Sequence, residues 1–446
     1  MYIPRRIDAE LIAWKKSQTR KPLLIRGARQ VGKSTAVRNL AKDFAYFIEI
    51  NFDEQPMYQD LFAHTPDIHE IIEQLAIITQ TEIIEGQTLV FLDEIQASLP
   101  AISLLRYFYE KKPNLHVIAA GSLLEFALAE LPSFGVGRVR SLFMHPLSFI
   151  EFLGALHEKT LLRALQQSNP SRPIQPILHE KLKLYFKKFL IIGGMPQAVL
   201  TYVRNGDLLE IQRILDDLII AFQADFAKYK RRIPPTNIQS VFESVVKQVG
   251  SKYKYSNELT SLNNPAIKQV LDLLEMAGLV YRVTHSSSNG IPIGAETNTK
   301  KVKFMIFDTG IYQRILGLDI ASLLLKNDFD VVNKGKIAEL FVGLELLKSN
   351  DVYEKTALYY WHREAKNSQA EVDYVIQIQD KIIPVEVKAG TKGSMQSLHL
   401  FLDEKKSSFG IRLSLENFSE FDRVKVFPLY ATSNIYDFLD CLGARL

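Results

Sequence analysis

Eight consecutive residues, Gly27, Ala28, Arg29, Gln30, Val31, Gly32, Lys33 and Ser34, have a spacing that suits phosphate binding. They follow the apolar run PLLIR and precede the amphipathic stretch TAVRNLAKDF, so a glycine-rich turn between a strand and a helix is expected. In such a turn the glycines let successive backbone N–H groups face the phosphates, and the helix N-terminus adds partial positive charge. Lys33 would meet the β- and γ-phosphates and Ser34 would ligate magnesium, with Thr35 completing the nucleotide-binding set. A second signal lies at TLVFLDE, residues 88–94, an apolar strand ending in two carboxylates. Packing gives no reason for that ending. Asp93 is expected in the magnesium shell and Glu94 beside the attacking water, which makes ATP and Mg2+ the expected cofactors. A third constellation comes late in the chain. AEVDYVI places Asp373 in one strand, and PVEVKAG places Glu386 and Lys388 two apart on the next, hence on one face. Two acids from paired strands could share a divalent metal while the lysine activates water or steadies a phosphate, and Glu339 in GKIAELFVGLELL could add a further carboxylate. Alternating charges also suit the exposed face of an edge strand.

The elements that must position these residues fall into four stretches of an α/β chain. Residues 1–150 alternate short apolar runs with helical segments, the rhythm of a largely parallel sheet. Residues 151–235 read as a helical annex. Residues 236–315 give three helices (IQSVFESVVKQVG, SNELTSL, AIKQVLDLLEMAG) and then two strands, the order of a winged helix-turn-helix. Residues 316–446 form a second α/β unit. Hydrophobic residues at 47% and charged residues at 23% belong to a globular chain with sizeable cores. No apolar run reaches the roughly 20 residues of a membrane span, and the N-terminus lacks a signal-peptide core. A cytoplasmic location without membrane contact is expected. The single Cys441 excludes an intrachain disulfide and a cysteine metal cluster. A net charge of +4 is too mild to prove nucleic-acid binding. Local patches are the better guide: Lys228, Lys230, Arg231 and Arg232 precede the winged helix, Lys247, Lys252 and Lys254 follow its first helix, and Lys300, Lys301 and Lys303 flank the wing. They suit salt-sensitive contacts with DNA phosphates. Asp272 and Glu275 beside Lys268 and Gln269 read a major groove poorly, so the module could instead serve protein contacts.

Taken together, GARQVGKST, FLDEIQ, AAGSLLEFAL, HPLSFIEFL, GGMPQAV, IFDTGIY and VEVKAG resemble a widespread prokaryotic family of AAA-type ATPases fused to a C-terminal domain of unknown function. The resemblance implies a P-loop AAA-type parallel-sheet domain, a winged helix and a nuclease-like end. It also implies a polar sensor residue at Ser122, although a serine after a glycine is equally a common helix N-cap. GVGRVR offers Arg138 and Arg140, either of which could be an arginine finger in cis or from a neighbouring copy in a homo-oligomer, or a solvated pair. At Gly135 the sequence departs from the family, where a proline is usual. The D…E-x-K pattern of Asp373, Glu386 and Lys388 resembles the restriction-endonuclease fold, which cuts phosphodiesters with magnesium. Two functions stay open on the sequence: a DNA-associated ATPase whose nucleotide state controls a nuclease-like domain, or a regulatory or scaffold ATPase whose nuclease-like domain is catalytically inactive.

Overall fold

The computed structural model describes residues 1–65, 67–131, 135, 137–229, 233–256, 261–320, 334–364, 370–391 and 393–443. The chain divides into two compact units. One comprises Met1–Pro146 with two later segments, Met276–Gly278 and Asp351–Lys355; the other comprises Leu147–Glu275, Leu279–Asn350 and Thr356–Leu446.

The first unit is built on β1 (Leu23–Arg26), β2 (Tyr46–Asn51), β3 (Thr88–Asp93), β4 (His116–Ala120) and β5 (Arg140–Phe143). Every pairing among them is parallel, in the order β2-β3-β4-β1-β5. All residues of β3 and β4 are buried, as expected of strands covered on both faces by helices. Ile48, Phe52, Phe62, Leu92, Leu105 and Phe108 belong to one apolar cluster on this sheet. Because the strands run parallel, their C-terminal ends share one edge, and β4 between β1 and β3 sets its own end between theirs. β5 was not foreseen: RSLF is short and half polar, with no periodic signal. It pairs with β1, and Phe143 N–H donates to the carbonyl of Val352 in the later segment at 2.8 Å.

The second unit holds the helices expected over 151–235, including Pro176–Ile192 and Leu208–Tyr229, with two more at Lys159–Gln166 and Pro196–Asn205. Helices Pro235–Gln248 and Asn264–Met276 match the first and third of the expected winged helix; most of SNELTSL, like Lys230, Arg231 and Arg232, lies outside the described residues. The two strands that follow, β6 (Val280–Ser286) and β7 (Thr297–Ile306), pair antiparallel as a hairpin does. They do not stand apart, because β6 pairs parallel with β8 (Leu358–His362). With β9 (Glu371–Ile378), β10 (Lys381–Val387), β11 (Gly410–Ser414), β12 (Ser419–Phe421) and β13 (Val424–Pro428) they make one eight-stranded mixed sheet, ordered β12-β13-β11-β10-β9-β8-β6-β7. The expected boundary at 315/316 therefore falls between elements of a single sheet. Hydrogen-bond demand gives the reason: β6 would otherwise leave an unpaired edge, and β8 covers it.

GGMPQAV and IFDTGIY, two stretches without assigned chemistry, meet at one junction. Asp308 is buried, and its carboxylate accepts from Gly194 N at 2.6 Å and from Ile311 N at 3.0 Å, the latter capping helix Thr309–Ile315. Gly193 has φ +77°, and a Cβ there would lie 2.2 Å from Asp308 Oδ1. Gly193→Ala is therefore expected to destabilise the second unit by about 2–4 kcal/mol, from left-handed strain together with the clash. Gly206→Ala, at φ +65° with open space around it, should lose only about 1 kcal/mol. Denaturant melts of the two variants measure the difference, and equal losses would deny Asp308 this role.

Candidate functional site

The turn after β1 adopts the conformation its glycines permit. Gly27 has φ +147°, and a Cβ there would lie 2.1 Å from the Met144 carbonyl oxygen; Gly32 has φ +100° and precedes helix Lys33–Ala41. Gln30, at φ +64°, also takes the left-handed region. The helix therefore begins at Lys33, with its first N–H groups at the turn. Lys33 is buried, and its ammonium donates to the carbonyls of Gly27 and Ala28 at 2.9 and 2.8 Å. Burial lowers its pKa to about 8, opposed by the charges of Glu94 and Asp93 and assisted by Arg29. The lysine thus remains charged at neutral pH while lying close to both acids.

Asp93 closes β3 and accepts a hydrogen bond from the Ser34 hydroxyl and another, at 3.0 Å, from Glu94 N. Burial raises its pKa, and those two bonds hold it down. The structure thus joins Ser34 to Asp93, the pair expected to share magnesium. Glu94 sits at φ +48°, an uncommon backbone state for a non-glycine residue. Its carboxylate accepts from the Gln96 amide and, at 3.4 Å, from the Ser122 hydroxyl at the end of β4. Gly121 makes room for that arrangement, since a Cβ there would lie 2.1 Å from Gln96 Oε1. Gln96 is a site residue that the sequence reading passed over, although it stands two positions after the acid pair.

Two arginines also escaped notice. Arg5 donates to the carbonyls of Val31 and His145 at 2.8 and 2.7 Å, so an N-terminal residue fixes the phosphate turn. Arg26, the last residue of β1, forms a two-point ion pair with Glu125. Only contacts distant in sequence, 26 and 140 residues for Arg5 and 99 for Arg26, reveal these roles. Of the candidate fingers, Arg138 pairs with Glu110 of helix Leu99–Lys111 and is half exposed, while the Arg140 guanidinium lies over the Tyr353 ring at 5.2 Å.

The second unit gathers the other charged set on its sheet. Glu386 of β10 accepts from Lys388 Nζ at 2.7 Å, and Asp373 of β9 accepts from Val387 N at 2.8 Å. Burial raises the pKa of Asp373 well above the carboxylate range, reinforced by Glu339 and Glu386. Burial also raises that of Glu386, whose Oε2 is buried and, among the described residues, has no hydrogen-bond partner. The sequence missed two members of this group. Lys303 of β7, only 2% exposed, bridges Glu339 at 2.8 Å and Glu371 at 2.6 Å. Burial lowers the Lys303 pKa most, yet Glu339, Glu371 and Asp373 together raise it above the ordinary lysine value.

Two expectations are corrected here. Among the described residues no group of three or more His, Cys, Asp or Glu is placed to hold a metal ion, so Glu339, Asp373 and Glu386 do not form a three-carboxylate centre. Lys303 holds Glu339 instead, because a buried ammonium needs a carboxylate beside it. Lys303 in turn is withdrawn from the surface of the β6–β7 hairpin, where it was expected to meet phosphates. Lys300 and Lys254 are exposed as expected, and Asp272 and Glu275 are paired with Arg282 of β6.

A parallel sheet that sets a phosphate turn, an acid pair and a polar serine along one edge defines a P-loop ATPase domain. Residues 19–153 match the sequence model of an AAA domain, residues 183–322 that of a domain of unknown function (DUF8612), and residues 334–432 that of another (DUF4143). The chain thus carries an AAA-type ATPase domain followed by two domains of unknown function. It is 26% identical over 278 residues to an uncharacterized protein of Haemophilus influenzae, a match covering 61% of this chain and 59% of that relative's length. Among solved structures it is similar to the Walker-type ATPase of Pyrococcus abyssi, with 16% identity and a TM-score of 0.44 over 70% of this chain and 95% of the other. It is also similar to the ORC1 protein of Aeropyrum pernix in complex with DNA, with 14% identity and a TM-score of 0.28 over 72% and 96%. The ATPase assignment stands on the AAA-domain match and the geometry, not on these two likenesses. Among the described residues no helix is long and apolar enough to cross a membrane.

With its pKa near 8, the Lys33 ammonium loses its charge as pH climbs past that value. ATP affinity is therefore expected to fall by up to about tenfold per pH unit above it, and Lys33→Ala should remove both tight binding and the pH dependence. Calorimetric titration with magnesium ATP between pH ~7 and ~9 measures both. An affinity independent of pH would count against Lys33 as the phosphate partner.

Proposed function

We propose that the chain binds ATP with magnesium and hydrolyses it, and that nucleotide state governs a DNA-associated, nuclease-like C-terminal part. The observation that carries the first half is the meeting of Lys33, the Ser34–Asp93 pair and Glu94 at one sheet edge. Lys33 would turn from the loop carbonyls to the terminal phosphates, and the loop N–H groups would hold the phosphate oxygens. Ser34 and Asp93 would hold magnesium, which would supply positive charge to offset that of the phosphates. Glu94 would accept a proton from the attacking water, while Gln96 and Ser122 fix which way its carboxylate points. The half-exposed Arg138 supports a role toward a neighbouring copy in a homo-oligomer.

For the second half, Asp373 and Glu386 fit a small hard cation, which proteins usually hold through one or two carboxylates together with substrate phosphates. The buried, unpartnered Glu386 Oε2 supports that fit. Lys388 would steady a phosphate oxygen, and the exposed Lys247, Lys254 and Lys300 suit backbone contacts with DNA. The Lys388–Glu386 ion pair also favours a second reading, in which lysines alone neutralise the acids and the domain regulates without cutting.

Glu94→Gln should keep ATP bound while turnover falls about 10²- to 10⁴-fold, since a carboxamide is a much poorer base; wild-type turnover in a phosphate-release assay would take the role from Glu94. Asp373→Ala should abolish magnesium- or manganese-dependent cleavage of linear, supercoiled or branched DNA, assayed with and without ATP. If the wild type cuts none of these substrates, nor RNA, the regulatory reading replaces the nuclease.

A further inference from the structure

Three residues far along the chain, Met276–Gly278, belong to the ATPase unit. They form the turn that ends helix Asn264–Met276, where Leu279 N–H donates back to the Leu274 carbonyl at 3.0 Å. Gly278 has φ +72°, and a Cβ at that position would lie 3.2 Å from the backbone nitrogen of Ala28 and 3.4 Å from its Cα. Ala28 is 2% exposed, so its backbone lies under cover. The residue so covered is not incidental to the site. Its carbonyl and that of Gly27 hold the Lys33 ammonium, the group that must change partners when phosphates arrive.

The turn is stiffly tied on its other side. Leu279 accepts from Phe307 N at 3.2 Å, and Val280 opens β6 opposite Ile306 of β7. One residue therefore separates the contact on Ala28 from the hairpin whose second strand carries Lys303. Glycine suits this place twice: it takes the left-handed backbone without strain, and it leaves Ala28 room that any Cβ would tighten.

We propose that Gly278 is a positioning residue for the phosphate loop, and that the turn Met276–Gly278 is where nucleotide occupancy at the P-loop is transmitted to helix Asn264–Met276 and strand β6. The inference rests on the ATP-binding reading and adds the route by which that binding is felt. A ligand shifts a distant element only through contacts that differ between its bound and free states, and the Ala28 backbone is such a contact.

Hydrogen exchange on the full chain tests it, with magnesium ATP added to the Glu94→Gln background so that nucleotide stays bound. Peptides covering 23–34 report occupancy and peptides covering 264–286 report transmission. Both sets should change protection on adding ATP. Gly278→Asn keeps a residue tolerant of left-handed φ but adds the Cβ. It is expected to weaken ATP binding by about 5- to 150-fold, the usual span of coupling between sites, and to remove the response at 264–286. Gly206→Asn, at φ +65° with nothing within 4 Å, controls for backbone strain and should bind ATP as the wild type does. Protection at 23–34 with unchanged exchange at 264–286 would overturn the proposal, as would wild-type affinity in Gly278→Asn. If 23–34 gains no protection, the ATP reading fails first and this one with it.

Discussion

A charge taken out of water needs its opposite within a few ångströms, and both charged sites of this protein are organised by that demand. In the ATPase unit the buried Lys33 lies beside Asp93 and Glu94, so each makes the others tolerable away from solvent. In the second unit Lys303 is almost wholly buried against Glu339 and Glu371, with Asp373 near enough to raise its pKa. Removing Lys303 would leave the acids around it without their buried cation, a loss of about 3–5 kcal/mol. These groups therefore act as units, and their sequence positions, from 303 to 386 in the second set, are tied by electrostatics rather than by neighbourhood.

The two sets differ in what they leave unsatisfied. Around Lys33 the carbonyls of Gly27 and Ala28 hold the ammonium, and these are the partners that the proposed binding exchanges for phosphate oxygens. The second set is closed more tightly: Lys388 takes one oxygen of Glu386 and Lys303 takes Glu339, and the other oxygen of Glu386 is buried without a partner among the described residues. A ligand there must compete with or join the internal cations. That competition is what distinguishes the two readings proposed for this unit.

Sequence alone determined the local pieces. The phosphate turn could be read at Gly27 to Ser34 because a glycine-rich octapeptide between an apolar strand and a helix is set by backbone sterics and nearest neighbours. The carboxylates of Asp93 and Glu94 were legible because a buried strand has no packing use for them, and Glu386 and Lys388 because the pleat repeats every two residues. What depends on contacts across long stretches of chain was not legible. No local pattern says that β4 lies between β1 and β3, which alone brings Ser122 to Glu94. Nothing near Lys303 says that it is buried: in sequence it is one of three wing lysines, and only the pairing of β6 with β8 brings the hairpin into the sheet that carries Glu371. Gly278 reads as an ordinary helix stop, and tertiary structure alone places it against Ala28. Periodicity and turn chemistry act over a few residues and so can be read along a chain, whereas strand order and charge compensation are decided by which segments share a core, and that is settled only when the whole chain folds.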